Sequence, residues 1–193
     1  MKIIFKLKGC LLGLIFILGV SSFSFAQKAT IKTNALYWAT TTVNLGTEIG
    51  LGPKSTLNLS GAWNPWEFKN DKTFKHWMVS PEFRWYMKDR FNGHFLGLNM
   101  IYGQGELQGF NMFVLYKSIS PDVRYKGWMT SAALSYGYQW AIGKHWNMEA
   151  TVALGLVYMN YDAYNPVNNM RTGSGDKLMV LPTKLALNFI YVF

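Results

Sequence analysis

The groups in this chain that could do chemistry are few, and their spacing argues against most of it. His76, Ser80 and Glu82 are the residue types of a base, a nucleophile and an orienting acid. On a strand all three face one way, but His76 and Ser80 would then lie ~13 Å apart, beyond hydrogen-bonding reach. No Gly-x-Ser-x-Gly elbow occurs. The three histidines, His76, His94 and His145, are scattered rather than spaced as metal ligands. Asp162, Asp176 and the segment NPVNNM lack the Asp-x-Asp spacing of a calcium loop. Gly103-Gln104-Gly105 opens no helix after a parallel strand, so it is not a phosphate cradle. The sequence therefore predicts no catalytic residue, no cofactor and no metal.

Glu48, Glu82, Arg84, Glu149 and Lys184 are of more interest, because each interrupts an alternating run on the face opposite its large hydrophobic residues. At ~3.3 Å per residue, Glu48, Arg84 and Glu149 fall at similar depth from the nearest short turn. One reading is an ion network that satisfies and plugs an interior, since a buried charge without a partner is costly. The other is a gated proton or ion path, or a catalytic cluster.

The elements that would position these groups are strands. In GWMTSAALSYGYQWA, Trp128, Thr130, Ala132, Leu134, Tyr136, Tyr138 and Trp140 share one face, while small and polar residues share the other. WNMEATVALGLVYMNY and KHWMVSPEFRWYMK repeat the pattern. Such runs are longer than the strands of globular sheets and match the ~9–11 residues of a tilted transmembrane strand. Strands are expected near 29–38, 42–51, 55–66, 75–88, 93–106, 127–142, 145–161 and 178–193, with Pro81 and Pro182 read as local bulges. Short turns at Gly52-Pro53-Lys54, Asp89 to Gly93 and Gly143-Lys144 alternate with longer connections at 65–75, 103–126 and 162–177. The first outer connection, around Thr40 to Val43, is read as short. That is the outer-membrane pattern: an eight-stranded antiparallel transmembrane β-barrel, all-β, with both termini periplasmic. Aromatic residues gather at both strand ends. Trp63, Trp66, Trp77, Tyr102, Trp128 and Tyr158 are expected near the long connections, and Trp85, Phe91, Trp140, Trp146, Tyr191 and Phe193 near the short turns.

Composition agrees. Aromatic residues make up 17% of the chain and charged residues 15%, against about a quarter charged in soluble domains. Residues 1–26 carry Lys2, Lys6 and Lys8, an apolar run and a small-x-small ending, and are read as a cleaved signal peptide, leaving 27–193 as the barrel. Cys10, the single cysteine, leaves with it, so disulfide, zinc-thiolate and cysteine chemistry are not expected. Lys and Arg outnumber Asp and Glu by 19 to 10, but the excess is scattered and partly in the leader, which argues against nucleic acid. Eight strands enclose an interior that side chains about fill, so an open pore is not expected.

NALYWATTTVNLGTEIGLG, NPWEF, HWMVSPEFRWY, RFNGHFLG, RYKGWM, SYGYQW and KHWNMEATVALG together resemble a Bacteroidota family catalogued as a domain of unknown function and assigned to outer-membrane β-barrels. Genes of such proteins often lie near fimbrial genes. The resemblance implies an outer-membrane location and a fimbria-associated role, and brings no catalytic residues. The expected function is that of a monomeric, non-enzymatic structural, adhesive or assembly protein. Its partners would be outer-membrane lipid and fimbrial or other surface proteins reached through loop 103–126. The alternatives are a lipid- or peptide-modifying enzyme and a narrow gated channel. The closing run LALNFIYVF, with Phe189, Tyr191 and Phe193 on one face, is read as the signal recognised by barrel-assembly machinery.

Overall fold

A computed structural model describes residues 29–68, 72–109, 113–114, 117–118 and 123–193; the leader assigned to residues 1–26 lies outside them. The alternating runs form eight long strands: β1 (Ala29–Asn34), β2 (Val43–Gly50), β3 (Ser55–Asn64), β4 (Lys72–Tyr86), β5 (Gly93–Gln108), β6 (Arg124–Ala141), β7 (Trp146–Tyr164) and β8 (Arg171–Val192). Each is antiparallel to the next, and β8 pairs back onto β1, from Thr30 opposite Val192 to Asn34 opposite Asn188. The sheet is thus an eight-strand antiparallel ring, closed so that no long strand leaves its ladder unpaired. Glu67–Phe68 extends the far end of β4, and Phe113–Val114 pairs with Lys117–Ser118. No described helix is long and apolar enough to cross a membrane.

Side chains sort by parity, because successive residues of a strand point to opposite faces. Along β6, Ser131, Ala133, Ser135, Gly137 and Gln139 are buried while Leu134, Tyr136 and Tyr138 are exposed. The sorting is the reverse of a water-soluble core. Arg84, Glu48, Glu149, Asn58 and Asn99 are each 0% exposed, whereas Leu134 is 73% exposed and Leu185 64%.

Several strand ends differ from the sequence expectation. The first strand stops at Asn34 rather than at 38. The Asn34 side chain accepts from Leu36 N at 3.1 Å and turns the chain into one helical turn, α1 (Ala35–Trp38). The polar stretch 162–177 is mostly ladder: Tyr161 lies opposite Gly175 and Asp162 opposite Ser174, and the turn shrinks to Asn165–Met170. Both faces of that hairpin are polar, so the hydrophobic period fades although the backbone pairing continues. Likewise β5 runs on to Gln108 and β6 starts at Arg124, so much of the expected loop 103–126 is strand. Of its apolar residues, Phe110, Met112, Leu115 and Tyr116 lie outside the described residues.

The two prolines behave differently. Beside Pro81 the register is unbroken: Val79 to Glu82 of β4 match Tyr102 to Asn99 of β5, three steps against three. Proline removes a donor there without inserting a residue, so the expected bulge is absent. Beside Pro182 the bulge is present. Lys184 faces Ala153 and Pro182 faces Leu154, which leaves Thr183 as the extra residue. Leu178, Val180 and Pro182 are exposed before it; after it Leu185 and Phe189 are exposed while Ala186 and Asn188 turn in. The extra residue is what brings Lys184 to the interior.

Phe91, expected in the belt near the short turns, folds inward instead. It has a positive φ of 63°, is 5% exposed, and packs 6.3 Å from Tyr86 between ring centroids. Its carbonyl accepts from Asn147 Nδ2 at 3.0 Å. The left-handed backbone of the β4–β5 turn aims this ring into the bore and caps it.

Candidate functional site

Arg84, from β4, is the hub of the interior. Its Nη1 donates to Glu48 Oε2 at 2.9 Å and to Glu149 Oε2 at 2.6 Å, while Nε and Nη2 donate to Glu82 Oε2 at 3.0 and 2.8 Å. The planar fork of arginine suits this, since it offers donors in several fixed directions. The Arg84 guanidinium carbon also lies 4.4 Å from the centroid of the Phe95 ring of β5. Lys184 Nζ donates to Glu82 Oε2 at 2.8 Å. Lys32 of β1 pairs with Glu48 and, at 3.2 Å, with Glu149.

The carboxylate oxygens accept further bonds from neutral side chains. Thr56 Oγ1 donates to Glu48 at 2.5 Å, and the Tyr86 hydroxyl reaches the same oxygen at 2.9 Å. Thr151 Oγ1 and Asn188 Nδ2 donate to Glu149 Oε1 at 2.8 and 2.7 Å. Ser135 of β6 donates to Glu82 Oε1. Three carboxylates therefore face three cations, and every charge but Lys184, whose partner is Glu82, is held from more than one side. The partners come from seven of the eight strands, and Phe95 adds the eighth. Such an arrangement ties strands to one another across the interior.

All five charged residues named from the sequence lie in this cluster. Lys32 was missed, being in a short run where Ile31 and Thr33 blur the alternation. Its signal was charge balance: three glutamates against Arg84 and Lys184 leave one negative charge over. Ser80 is buried on the same face, its oxygen accepting from Asn99 Nδ2 at 2.7 Å, and His76 lies further out along β4. His94 and His145 are exposed beside tyrosines: His94 Nδ1 lies 2.6 Å from the Tyr136 hydroxyl, and His145 stacks on Tyr191. Phe189, Tyr191 and Phe193 share the outer face of β8, with Phe193 N donating to Ala29 O at 3.0 Å across the seam. No group of three or more His, Cys, Asp or Glu among the described residues is placed to hold a metal ion.

Towards the end away from the short turns, a cavity of about 40 Å³ lies over the network, lined by Lys32, Asn58, Ser60, Ser80 and Asn188 among others. It has room for a few waters and polar groups to hold them. Tyr37 of α1 lines this cavity, and its hydroxyl lies 3.6 Å from Met78 Sδ; burial pushes its phenol pKa up.

Fold and site together define a class: a closed antiparallel ring with a hydrophobic exterior and a charge-balanced, hydrogen-bonded interior. The chain belongs to the family described as protein of unknown function (DUF3575), whose model matches residues 12–193. Neither a curated protein nor a solved structure matches it.

Proposed function

We propose that this protein is a non-enzymatic eight-stranded β-barrel of a Gram-negative outer membrane, with its signal peptide removed and both termini periplasmic. It serves a structural, adhesive or fimbria-associated assembly role through its outer connections. The observation that carries the reading is the inverted sorting: charges are sealed inside and leucine, valine and aromatic residues cover the outside. In water such an exterior would be a large aggregation liability; in lipid it is the required surface. Closure of β8 on β1 supports the same reading, since an open edge is not tolerated in hydrocarbon.

Two aromatic belts support it further. Trp77, Tyr102, Trp128 and Tyr158 make consecutive ring contacts at 5.7, 6.3 and 5.5 Å on the outer side. Tyr138 with Trp140, and Trp146 with Tyr191 and Phe193, gather near the short turns. Eight residues separate Trp77 from Trp85, ~26 Å along the strand and about 20 Å of height at a tilt of ~40°, which fits within a lipid-facing band of ~25 Å. The filled interior favours a scaffold over a channel. The fimbrial association rests on the family resemblance, and the connection between β5 and β6, 109–123, is the part offered to such a partner. The test is gel mobility of unboiled against boiled protein from the membrane fraction. A heat-dependent shift is expected; identical migration, or recovery in the soluble fraction, would sink the reading.

Assembly is assigned to the outer-membrane insertion machinery, which would read the outward aromatics of β8. Phe193→Asp is expected to lower the membrane level several-fold, because it puts a charge on a face meant for lipid. An exposed change in the turn, Val167→Ser, should leave that level unaltered. Equal levels of the two variants would refute the assignment.

A further inference from the structure

Above the small cavity the ring is not level. β1 ends at Asn34, β2 begins at Val43 and β3 ends at Asn64, level with His76, while β4 to β8 continue outward for a further two or three residue pairs. The taller strands form a half-cup with a cavity of about 440 Å³, within the range of small-molecule pockets. Register places its wall in rows. Met78 lies opposite Gly103, which lies opposite Met129, then Met159, then Lys177. The next row outward runs His76, Gly105, Gly127, Tyr161 and Gly175.

These rows have a consistent chemistry. Methionines Met78, Met129, Met159 and Met179 supply adaptable apolar contacts, and Phe74, Tyr125 and Tyr161 supply flat ones. Glycines between them keep the wall thin where side chains would fill the cup. Of the charged residues at the cavity, Glu106 is tied to Arg124 and Lys126 at 3.3 and 3.2 Å, and Lys75 pairs with Glu67. Lys177 has no carboxylate partner among the described residues and lies 5.9 Å over the Tyr161 ring. His76 also lines the cavity, and its buried Nδ1 has no close hydrogen-bond partner among the described residues. An apolar cup with a lysine that no carboxylate neutralises among the described residues is complementary to an apolar molecule bearing a single anionic group.

We propose that this cup binds a single-chain amphiphilic carboxylate, its tail among the methionines and tyrosines and its carboxylate on Lys177. The position fits that occupant, because the outward residues at this height, Trp77, Tyr102 and Trp128, form the aromatic belt. The cup itself belongs to the ring; only delivery of the ligand from a membrane surface rests on the preceding reading. The charged network below closes the path inward, so the site retains its ligand rather than passing it through.

The test uses full-length protein folded in detergent and a dodecanoate carrying a chain-terminal diazirine. Photolabelling should map to the Tyr125–Met129 and Met159–Tyr161 segments, and plain dodecanoate should compete about tenfold better than dodecanol. Lys177→Gln should remove that preference, and Met129→Trp, which fills the cup, should cut labelling about tenfold. Label confined to the outer face around Leu134 and Val152, or untouched by Met129→Trp, would mean partitioning into the detergent shell and overturn the proposal. Equal competition by acid and alcohol in the wild type would overturn it without any variant. Heat-dependent gel mobility, scored on the same samples, separates loss of the cup from loss of the ring.

Discussion

Arg84→Met should prevent most of the protein from reaching its closed form, and adding Glu149→Gln should recover a substantial part. Arg84 is 0% exposed and bonds to Glu48, Glu82 and Glu149 at once. Without it, Lys32 and Lys184 face three buried carboxylates, and one negative charge is left uncompensated. Breaking a buried pair by removing one partner costs about 3–5 kcal/mol, a large part of the stability of a domain. Glu149→Gln removes the surplus charge and keeps an oxygen for Thr151 and Asn188 to donate to. Arg84→Lys should fall between, keeping the charge and losing the fork that reaches three carboxylates. The measurements are the fraction of heat-modifiable protein and the urea midpoint in micelles. A wild-type midpoint for Arg84→Met would mean that the network does not hold the ring. Failure of Glu149→Gln to recover anything would place the defect in shape rather than charge. Single-channel recording on whatever Arg84→Met does assemble supplies a second readout: steady current there, absent from the wild type, is expected if the hub is also the plug.

The rescue matters because the network's worth is not simply additive stability. Well-packed hydrophobic replacements for buried ion networks are often neutral or stabilising. Here the interior groups arrive from strands distant in the chain, Lys32 from β1 and Glu149 from β7. Their mutual fit selects one register and one closure among those an alternating sequence would allow, since a slip by one residue sends every charge outward. The bulge at Thr183 shows the same constraint from the other side: Lys184 reaches Glu82 only because one extra residue resets the parity of β8.

What the sequence made legible follows from which physical signal each element carries. The middle parts of β4, β6 and β7 put large hydrophobics against small or polar residues at every step, and the pattern marks these strands to within a few residues of their observed ends. The same parity placed Glu48, Glu82, Arg84, Glu149 and Lys184 on one face. Beyond that height the signal disappears. Asp162 to Tyr164 and Arg171 to Lys177 continue the ladder, with one register shift between Ala163 and Tyr164, yet nothing apolar marks one face, so they read as loop. Lys32 was hidden by the shortness of β1. The inward turn of Phe91 depends on a left-handed φ that phenylalanine rarely adopts and no local pattern announces. Pro81 and Pro182 look alike in sequence; the bulge depends on how many residues the neighbouring strand presents, which is a property of the pairing.

Gly155→Val should be about as damaging as losing the charged hub, whereas Gly173→Val should be close to silent. Both glycines lie in the β7–β8 hairpin, and β-propensity alone would favour valine at either place. At Gly155 an added Cβ would lie 2.2 Å from Ala132 O and 2.4 Å from both Cα and Cβ of Ala133. Those are backbone atoms and the first side-chain atom of a paired strand, so no rotamer change relieves the clash; β6 and β7 would have to separate. They are joined continuously from Asn147 opposite Ala141 to Tyr164 opposite Arg124, so separation at one point strains the ladder on both sides. The expected cost is about 3 kcal/mol or more, the upper end for overpacking in a rigid interior. At Gly173 nothing lies within 4 Å of the added atom, and valine there meets open space. Gly46→Ala falls between: its nearest neighbour is Lys32 Cγ at 2.9 Å, a side chain that can move, though only by disturbing its bonds to Glu48 and Glu149. The urea midpoint should therefore fall in the order wild type and Gly173→Val, then Gly46→Ala, then Gly155→Val. Equal midpoints for Gly155→Val and Gly173→Val would mean that β6 and β7 do not approach as closely as this register requires, and the interior placement of Ala133 and Gly155 would have to be abandoned with it.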